Sequence, residues 1–457
     1  MRRFFLFLAL TLTAALNCMA QLNGTGFYRF RNADRETDYI SIANDKFNYL
    51  TAISTACGGL MEALSSAGQA RALECAGKFL ETDIHLVNDA DCIDPGSVIY
   101  AKKKNTSSTN DYNLIGQGTS LLTLTTGTYP GSVNLKFEDR YVTIDKVSGS
   151  GENTLYTAKI ELKSSTSVPF YGQPSLGTRY LVDDNGKLAI NSSSKAPNAK
   201  WYIEPVTHFN VKPEVKFGGK YYTTLRVPFA FTLSDKIEKA YAVTAIDTDG
   251  RVKIKKVAAK GGTVLVPAGT PVILECTSNV TADCRLIPTN EPNEPLFTAP
   301  DVSVDADAPK ADTISTKYSG TNLLKGTYYC NTDGNLTYTM PSGTGTIKAN
   351  HFTSPTMPQK YVLGLTSDKL GFVKATTAMP ANKAWIEYNG SAEELVLALP
   401  GDVNKDGKVD SADLVRLVDR ILQKENPLPC DEDACDVNED GILDSADVLS
   451  LVNIILE

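Results

Sequence analysis

The last part of the chain repeats itself at an offset of 34 positions. Asp402-Val403-Asn404-Lys405-Asp406-Gly407-Lys408-Val409-Asp410-Ser411-Ala412-Asp413 lies over Asp436-Val437-Asn438-Glu439-Asp440-Gly441-Ile442-Leu443-Asp444-Ser445-Ala446-Asp447, and nine of the twelve positions are identical. Each copy crowds acids into a short loop, and their repulsion opposes folding unless positive charge compensates. The crowding is local. Residues 401–457 hold 15 acidic and 5 basic residues, a balance of −10, whereas the whole chain stands at −8, leaving +2 for residues 1–400.

The spacing specifies the compensating charge. Calcium is a hard cation that takes six to eight oxygens, and a twelve-residue loop supplies them from positions 1, 3, 5, 7, 9 and 12. In the first loop these are Asp402, Asn404, Asp406, the carbonyl of Lys408, Asp410 and Asp413. In the second they are Asp436, Asn438, Asp440, the carbonyl of Ile442, Asp444 and Asp447. Gly407 and Gly441 stand sixth, where the chain must turn sharply. Position 12 is Asp rather than Glu, so the following helix must approach the ion more closely. Two calcium ions are expected.

A helix is expected after each loop. Leu414, Leu417, Val418, Ile421 and Leu422 match Val448, Leu451, Val452, Ile455 and Leu456 as two apolar stripes. Pro400 and the Cys430–Cys435 stretch precede the loops, so no comparable entering helix is expected. The unit is half an EF-hand used twice. A pair of accidental acidic turns would not share spacing, terminal acids and helices.

Residues 401–457 resemble a type I dockerin, the calcium-dependent module that plugs into cohesin domains in cellulosome-like assemblies. The resemblance covers about an eighth of the chain. It implies a small all-α calcium-binding domain and a cohesin-type partner. In that family the two residues before the final ligand, with exposed helix positions, help choose the cohesin. Here these are Ser411-Ala412 and Ser445-Ala446, with Arg416 and Arg420 on the first helix. The family pattern is often Ser-Thr, and alanine stands in its place in both copies.

The other end reads as an address. Arg2 and Arg3 precede an apolar run from Phe4 to Leu16, and small residues at Cys18 and Ala20 place cleavage before Gln21. Asn17 disfavours a lipoprotein signal ending at Cys18. Residues 1–20 are therefore expected to be a signal peptide, and the mature protein to be secreted or surface-associated with no membrane span. Export makes the remaining eight cysteines candidates for disulfides. Cys276/Cys284 and Cys430/Cys435 are spaced to close small loops, while the connectivity of Cys57, Cys75, Cys92 and Cys330 stays open.

Between these ends the chain reads as mainly β. Short β-branched and aromatic runs such as Phe27-Tyr28-Arg29-Phe30, Tyr141-Val142-Thr143-Ile144 and Trp201-Tyr202-Ile203 alternate with turn residues. Between Thr55 and Glu81, apolar residues at three- and four-residue steps predict a helical insertion. A second region carries an internal echo. Tyr241-Ala242-Val243, Val252-Lys253-Ile254 and Pro267-Ala268 are followed later by Tyr361-Val362-Leu363, Leu370-Gly371-Phe372 and Pro380-Ala381. An acidic Pro-rich loop is expected near 288–310. The expected domains are 21–209, 210–399 and 401–457.

Gly26-Phe27-Tyr28-Arg29, Tyr39-Ile40-Ser41 and Lys200-Trp201-Tyr202-Ile203 resemble pieces of a ricin-type β-trefoil. More broadly, the chain resembles secreted multidomain β proteins of Bacteroidetes-type bacteria. The resemblance implies a trefoil-like domain with a helical insertion, followed by a sandwich-like domain. The insertion departs from a trefoil, and Ala199-Lys200-Trp201 stands where the sugar-reading Gln-x-Trp would be.

The acidic balance argues against a general nucleic-acid binder. The three histidines are scattered, and there is no HExxH and no convincing GxSxG turn. A glycosidase needs only two carboxylates, so catalysis stays open as an O-glycosyl hydrolase, with no catalytic residue assigned. Tyr221-Tyr222 and Tyr328-Tyr329 are candidate sugar platforms, although alternation in a strand sends one ring of each pair inward. Trp201 and Trp385 read as core anchors. Together these features point to a non-catalytic β-rich protein attached to a cohesin-bearing partner in a polysaccharide-processing assembly, with carbohydrate binding as the alternative. No complete loop of the calcium pattern precedes Pro400, so the β-rich region is expected to be indifferent to chelation.

Overall fold

The computed structural model describes residues 21–35, 37–41, 85–88, 92–104, 110–116, 119–120, 127–128, 134–135, 141–163, 175–183, 188–191, 197–234, 236–257, 259–260, 263–289, 322–326, 335–340, 343–348, 359–376, 382–422, 430–438 and 441–456. Residues 1–20, expected to be a signal peptide, and the helical insertion expected between Thr55 and Glu81 lie outside them, as do Tyr328-Tyr329, Cys57, Cys75, Cys330 and Asp440. The described structure is mainly β with few helices.

The first region is built on strands β1 (Gly26–Asn32), β2 (Ile99–Lys103), β3 (Asp111–Gly116), β4 (Val142–Ser148), β5 (Leu155–Lys163) and β6 (Trp201–Pro205). Antiparallel pairing runs β1–β2–β3–β4–β5–β6 and returns from β6 to β1. The ring is closed, and closure removes the exposed edges that an open sheet would leave. Alternation places Phe30, Ile99, Leu114, Val142, Ile144 and Trp201 in the interior. Trp201 also donates its indole N–H to the Leu181 carbonyl at 3.0 Å. Outside the ring, Asp38–Ser41 pairs with His85–Asn88, and Ser175–Asp183 pairs with Leu188–Asn191.

The second region contains β7 (Lys220–Leu225), β8 (Ile237–Ile246), β9 (Arg251–Lys256), β10 (Val272–Cys276), β11 (Gln359–Thr366), β12 (Lys369–Lys374), β13 (Ala384–Tyr388) and β14 (Leu395–Ala398). They lie in one ten-stranded sheet in the order β7-β10-β8-β9-β14-β12-β11-β13, with Val215–Phe217 and Lys325–Gly326 at its ends. The sequence echo is visible here. β8 pairs antiparallel with β9 and β10, and β11 pairs antiparallel with β12 and β13. A five-stranded sheet containing Ala230–Leu233 and Arg285–Thr289 shares a core with the large sheet through Phe209, Phe231, Leu274 and Leu286. Pro288 pairs with Phe231 inside that sheet, so the strand runs on to Thr289, where the Pro-rich loop was expected to have begun. Phe27 of the ring packs against Phe229 at 5.3 Å between ring centroids.

Within the large sheet, β14 runs parallel to β9, with Arg251 opposite Val396 and Val252 opposite Leu397. The chain leaves β14 through Leu399 and Pro400 and turns at Gly401, whose φ is +90°. A side chain at Gly401 would lie 2.8 Å from Leu451 Cδ1, so glycine permits both the turn and the packing. The C-terminal helices are α1 (Ser411–Ile421), the single turn α2 (Glu432–Cys435) and α3 (Ser445–Leu456). α2 is the only entering helix of either loop among the described residues, and it is four residues long.

Candidate metal centre

The two acidic loops are folded alike around their final acids. In the first, the backbone amide of Asn404 donates to Asp413 Oδ1 at 2.8 Å and that of Asp410 donates to Asp413 Oδ2 at 2.9 Å. In the second, Asn438 donates to Asp447 Oδ1 at 3.2 Å and Asp444 donates to Asp447 Oδ2 at 3.0 Å. Asp413 and Asp447 are both fully buried. Position 9 also opens the helix: Asp410 Oδ1 accepts from the Ala412 amide at 2.8 Å, and Asp444 Oδ1 accepts from Ala446 at 2.7 Å. These are helix N-caps, with Asp413 completing a capping box. Position 12 thus stitches each loop to its helix.

The glycine positions behave as the spacing requires. Gly407 has φ +83° and Gly441 has φ +84°. The Gly407 amide donates to both oxygens of Asp402 at 3.2 Å, and the Gly441 amide donates to Asp436 Oδ2 at 2.9 Å. Further along the first loop, Asp406 and Lys408 donate their amides to Asn404 Oδ1 and Asp406 Oδ1 at 2.7 and 2.9 Å.

Burial pushes the Asp402 and Asp413 carboxyls above the usual carboxylate range. Arg251 and the Gly407 amide pull Asp402 back down, and backbone amides of Asp410 and Asn404 do the same for Asp413. Among the described residues, no three His, Cys, Asp or Glu side chains converge as a finished cage. The donor set is nevertheless all oxygen in a glycine-turned loop, which fits a calcium-type ion.

The two helices close over a small core of Val403, Leu417, Cys435, Val437 and Leu451, flanked by Leu414, Ile421, Val448, Ile454 and Ile455. Leu422 and Leu456, read from sequence as part of the stripes, are exposed at 63% and 79%. They fall at the helix ends, beyond the facing turns. Ile454, at the position matching Arg420, also packs against this core. Ser411, Ala412, Ser445 and Ala446 are all exposed, while Arg416 and Arg420 are half-buried.

Residues 400–456 match the family model of the dockerin type I domain. The C-terminus of this chain is a type I dockerin. Dockerins of this type bind calcium and attach to cohesin partners in extracellular or cell-surface assemblies. No curated protein matches the chain. A solved structure described as that of a mosquitocidal holotoxin aligns over 80% of this chain at 11% identity, with a TM-score of 0.23. This chain covers 41% of that one, and at such a score the alignment carries no statement about fold. No helix among the described residues is long and apolar enough to cross a membrane.

Sequence spacing missed the dockerin's attachment to the β-rich region. Arg251, at the start of β9, reaches Asp402 Oδ2 through Nη2 at 3.0 Å and Asp431 Oδ2 through Nε at 3.0 Å. The same Nη2 donates to the Asp402 carbonyl at 3.3 Å. All three side chains are buried, at 7%, 0% and 9% exposure. Lys369 of β12 lies against Gly407, and Val409 touches both the dockerin core and the sheet core around Leu397 and Leu399. The β-rich region, expected to be indifferent to chelation, thus shares a buried contact with the first acidic loop. Nothing local to Arg251 could have revealed it, since an arginine after an Asp-Gly turn is ordinary strand chemistry.

The β-rich candidates resolve differently. Tyr222 is buried in one core, and Tyr221 packs against the other, so neither ring is a free platform. Trp201 and Trp385 are fully buried anchors.

Proposed function

We propose that this is an exported, non-catalytic β-rich protein whose dockerin, holding two calcium ions, fastens it to a cohesin-bearing partner in a polysaccharide-processing assembly. The observation that carries the reading is the matched pair of loops, each tied to its helix by a buried terminal aspartate. In the first loop Asp402, Asn404, Asp406, the Lys408 carbonyl, Asp410 and Asp413 hold the ion. In the second, Asp436, Asn438, Asp440, the Ile442 carbonyl, Asp444 and Asp447 do so. The bound ion would neutralise the loops and leave Ser411-Ala412 and Ser445-Ala446, with Arg416 and Arg420, to meet the cohesin. Capture of the full chain by immobilised cohesins, with and without chelator, tests this. Capture that survives chelation would contradict it.

For the β-rich part we propose a trefoil-like domain over 21–209 and a sandwich-like domain over 210–399. The closed ring β1–β6 with hairpins outside it supports the first, and the core shared by two sheets supports the second. Carbohydrate binding by the β-rich part is the second reading. In the second region, a cleft lined by Glu214, Thr223, Lys374 and Lys383 presents polar groups, with Lys383 held between Glu214 and Thr223 at 3.0 and 2.8 Å. Binding to a glycan array would favour this reading, whereas release of reducing sugar would favour a hydrolase.

A further inference from the structure

We propose that the dockerin is not a free pendant but is docked on the β-rich body through Arg251, and that calcium in the first loop controls this docking. The proposal rests on the calcium reading of the loops. The body's docking surface is formed by Arg251 of β9, Lys369 of β12 and the end of β14. Its occupant is the first repeat of this chain's own dockerin.

Four observations converge on that surface. Arg251 is a buried cation whose named carboxylate partners, Asp402 and Asp431, both belong to the dockerin. Asp402 is also the first ligand position of the first loop. Arg251 binds its Oδ2 atom, and Oδ1, which accepts from the Gly407 amide at 3.2 Å, keeps a second lone pair for an ion. Asp431 is itself bound into the module, its amide donating to the Val403 carbonyl at 2.9 Å. Gly407 packs on the Lys369 methylenes, whereas the matching Gly441 faces open space.

The two repeats are therefore inequivalent in place although nearly identical in sequence. Val409 is covered by the sheet core, while its counterpart Leu443 is 39% exposed. Asp402 is fully buried, and its counterpart Asp436 is half-buried. Docking thus uses the first loop and leaves the second toward solvent.

The link to calcium is electrostatic. Without the ion, Asp402, Asp406, Asp410 and Asp413 repel one another, and the loop that presents Asp402 to Arg251 loosens. With the ion, the loop holds its shape and the Arg251 contact persists. Linkage requires the converse, that docking favours ion retention in the first loop. The body would then set the orientation in which the dockerin is offered to its partner, and calcium would fix that orientation.

Hydrogen exchange read by mass spectrometry on the full chain tests this, in calcium and in chelator, for wild type and Arg251→Met. In wild type, chelation should speed exchange in α1 and α3 and also, at least threefold, in β9 and β14. In Arg251→Met, the helices should still respond, while β9 and β14 should exchange at one rate in both conditions. Asp431→Asn, which leaves every proposed ligand intact, should behave like Arg251→Met if that variant folds poorly. Helices that respond while β9 and β14 of wild type do not would overturn the docking proposal. So would transmission to β9 and β14 that survives in both variants. Helices indifferent to chelator would overturn the calcium reading, and the proposal with it.

Discussion

Arg251 and Asp402 lie 151 residues apart in sequence, yet their side chains meet at 3.0 Å with almost no solvent between them and the core. One member belongs to a β-strand and the other to a metal-type loop. The parallel pairing of β9 with β14 makes this possible, because β14 delivers the chain to Gly401 beside the start of β9.

Removing the cation should be costly. Asp402 and Asp431 are buried carboxylates that share one guanidinium, and breaking a buried pair from one side costs roughly 3–5 kcal/mol. Arg251→Met in saturating calcium should therefore lower the stability of the full chain by about 3 kcal/mol in urea titration. Adding Asp431→Asn to that variant, which removes a stranded buried charge and leaves every proposed ligand intact, should restore part of the loss. An Arg251→Met chain as stable as wild type would place the ion pair outside the folded state in solution.

The two loop glycines should differ. Each adopts a left-handed conformation that costs an L-residue about 1–2 kcal/mol. Alanine at Gly441 meets nothing within 4 Å, but alanine at Gly407 would sit 2.6 Å from Lys369 Cδ. Gly407→Ala should therefore destabilise more than Gly441→Ala in saturating calcium. Comparing the two midpoints checks it, and equal losses would mean that Lys369 does not cover the first loop.

The two close cysteine pairs should form disulfides in an oxidising environment. Cys276 and Cys284 are buried side by side, each thiol influencing the other, and Cys435 is pushed up to about 12 by burial and by Cys430. Closing loops this short should add about 2–3 kcal/mol each. Peptide mapping without reductant should recover Cys276–Cys284 and Cys430–Cys435, and any crossed pairing would contradict the fold.

Both candidate recognition pairs remain exposed in the docked arrangement. Replacing Ser411-Ala412 or Ser445-Ala446 alone with bulky acidic residues should weaken cohesin binding only a few-fold. Replacing both should abolish it, because each site loses its close contact and meets repulsion. Loss of binding from one single replacement, with no effect from the other, would confine recognition to one half.

Spacing made the dockerin legible because a hard cation fixes which positions must carry oxygen and where the chain must turn. Asp413, Asp447, Gly407 and Gly441 fall where that logic puts them. Alternation likewise exposed the strand character of β1 and the anchoring roles of Trp201 and Trp385. The echo between β8–β10 and β11–β13 was readable because each copy repeats the same strand and turn order. What stayed hidden was long-range: the closure of β6 onto β1, the parallel meeting of β9 and β14, and Arg251 reaching the first loop. These depend on which distant strands become neighbours, and local periodicity carries no record of that. The helix ends were overextended for a simpler reason, since an apolar stripe continues past the turns that face a partner, as Leu422 and Leu456 do.

The most direct test is a calorimetric calcium titration of the full chain stripped of divalent ions, followed in parallel by far-ultraviolet circular dichroism. The account predicts two bound ions per chain, with helical signal gained as they bind and lost again on chelation. An absence of binding at millimolar calcium, or helicity that ignores the ion, would contradict it.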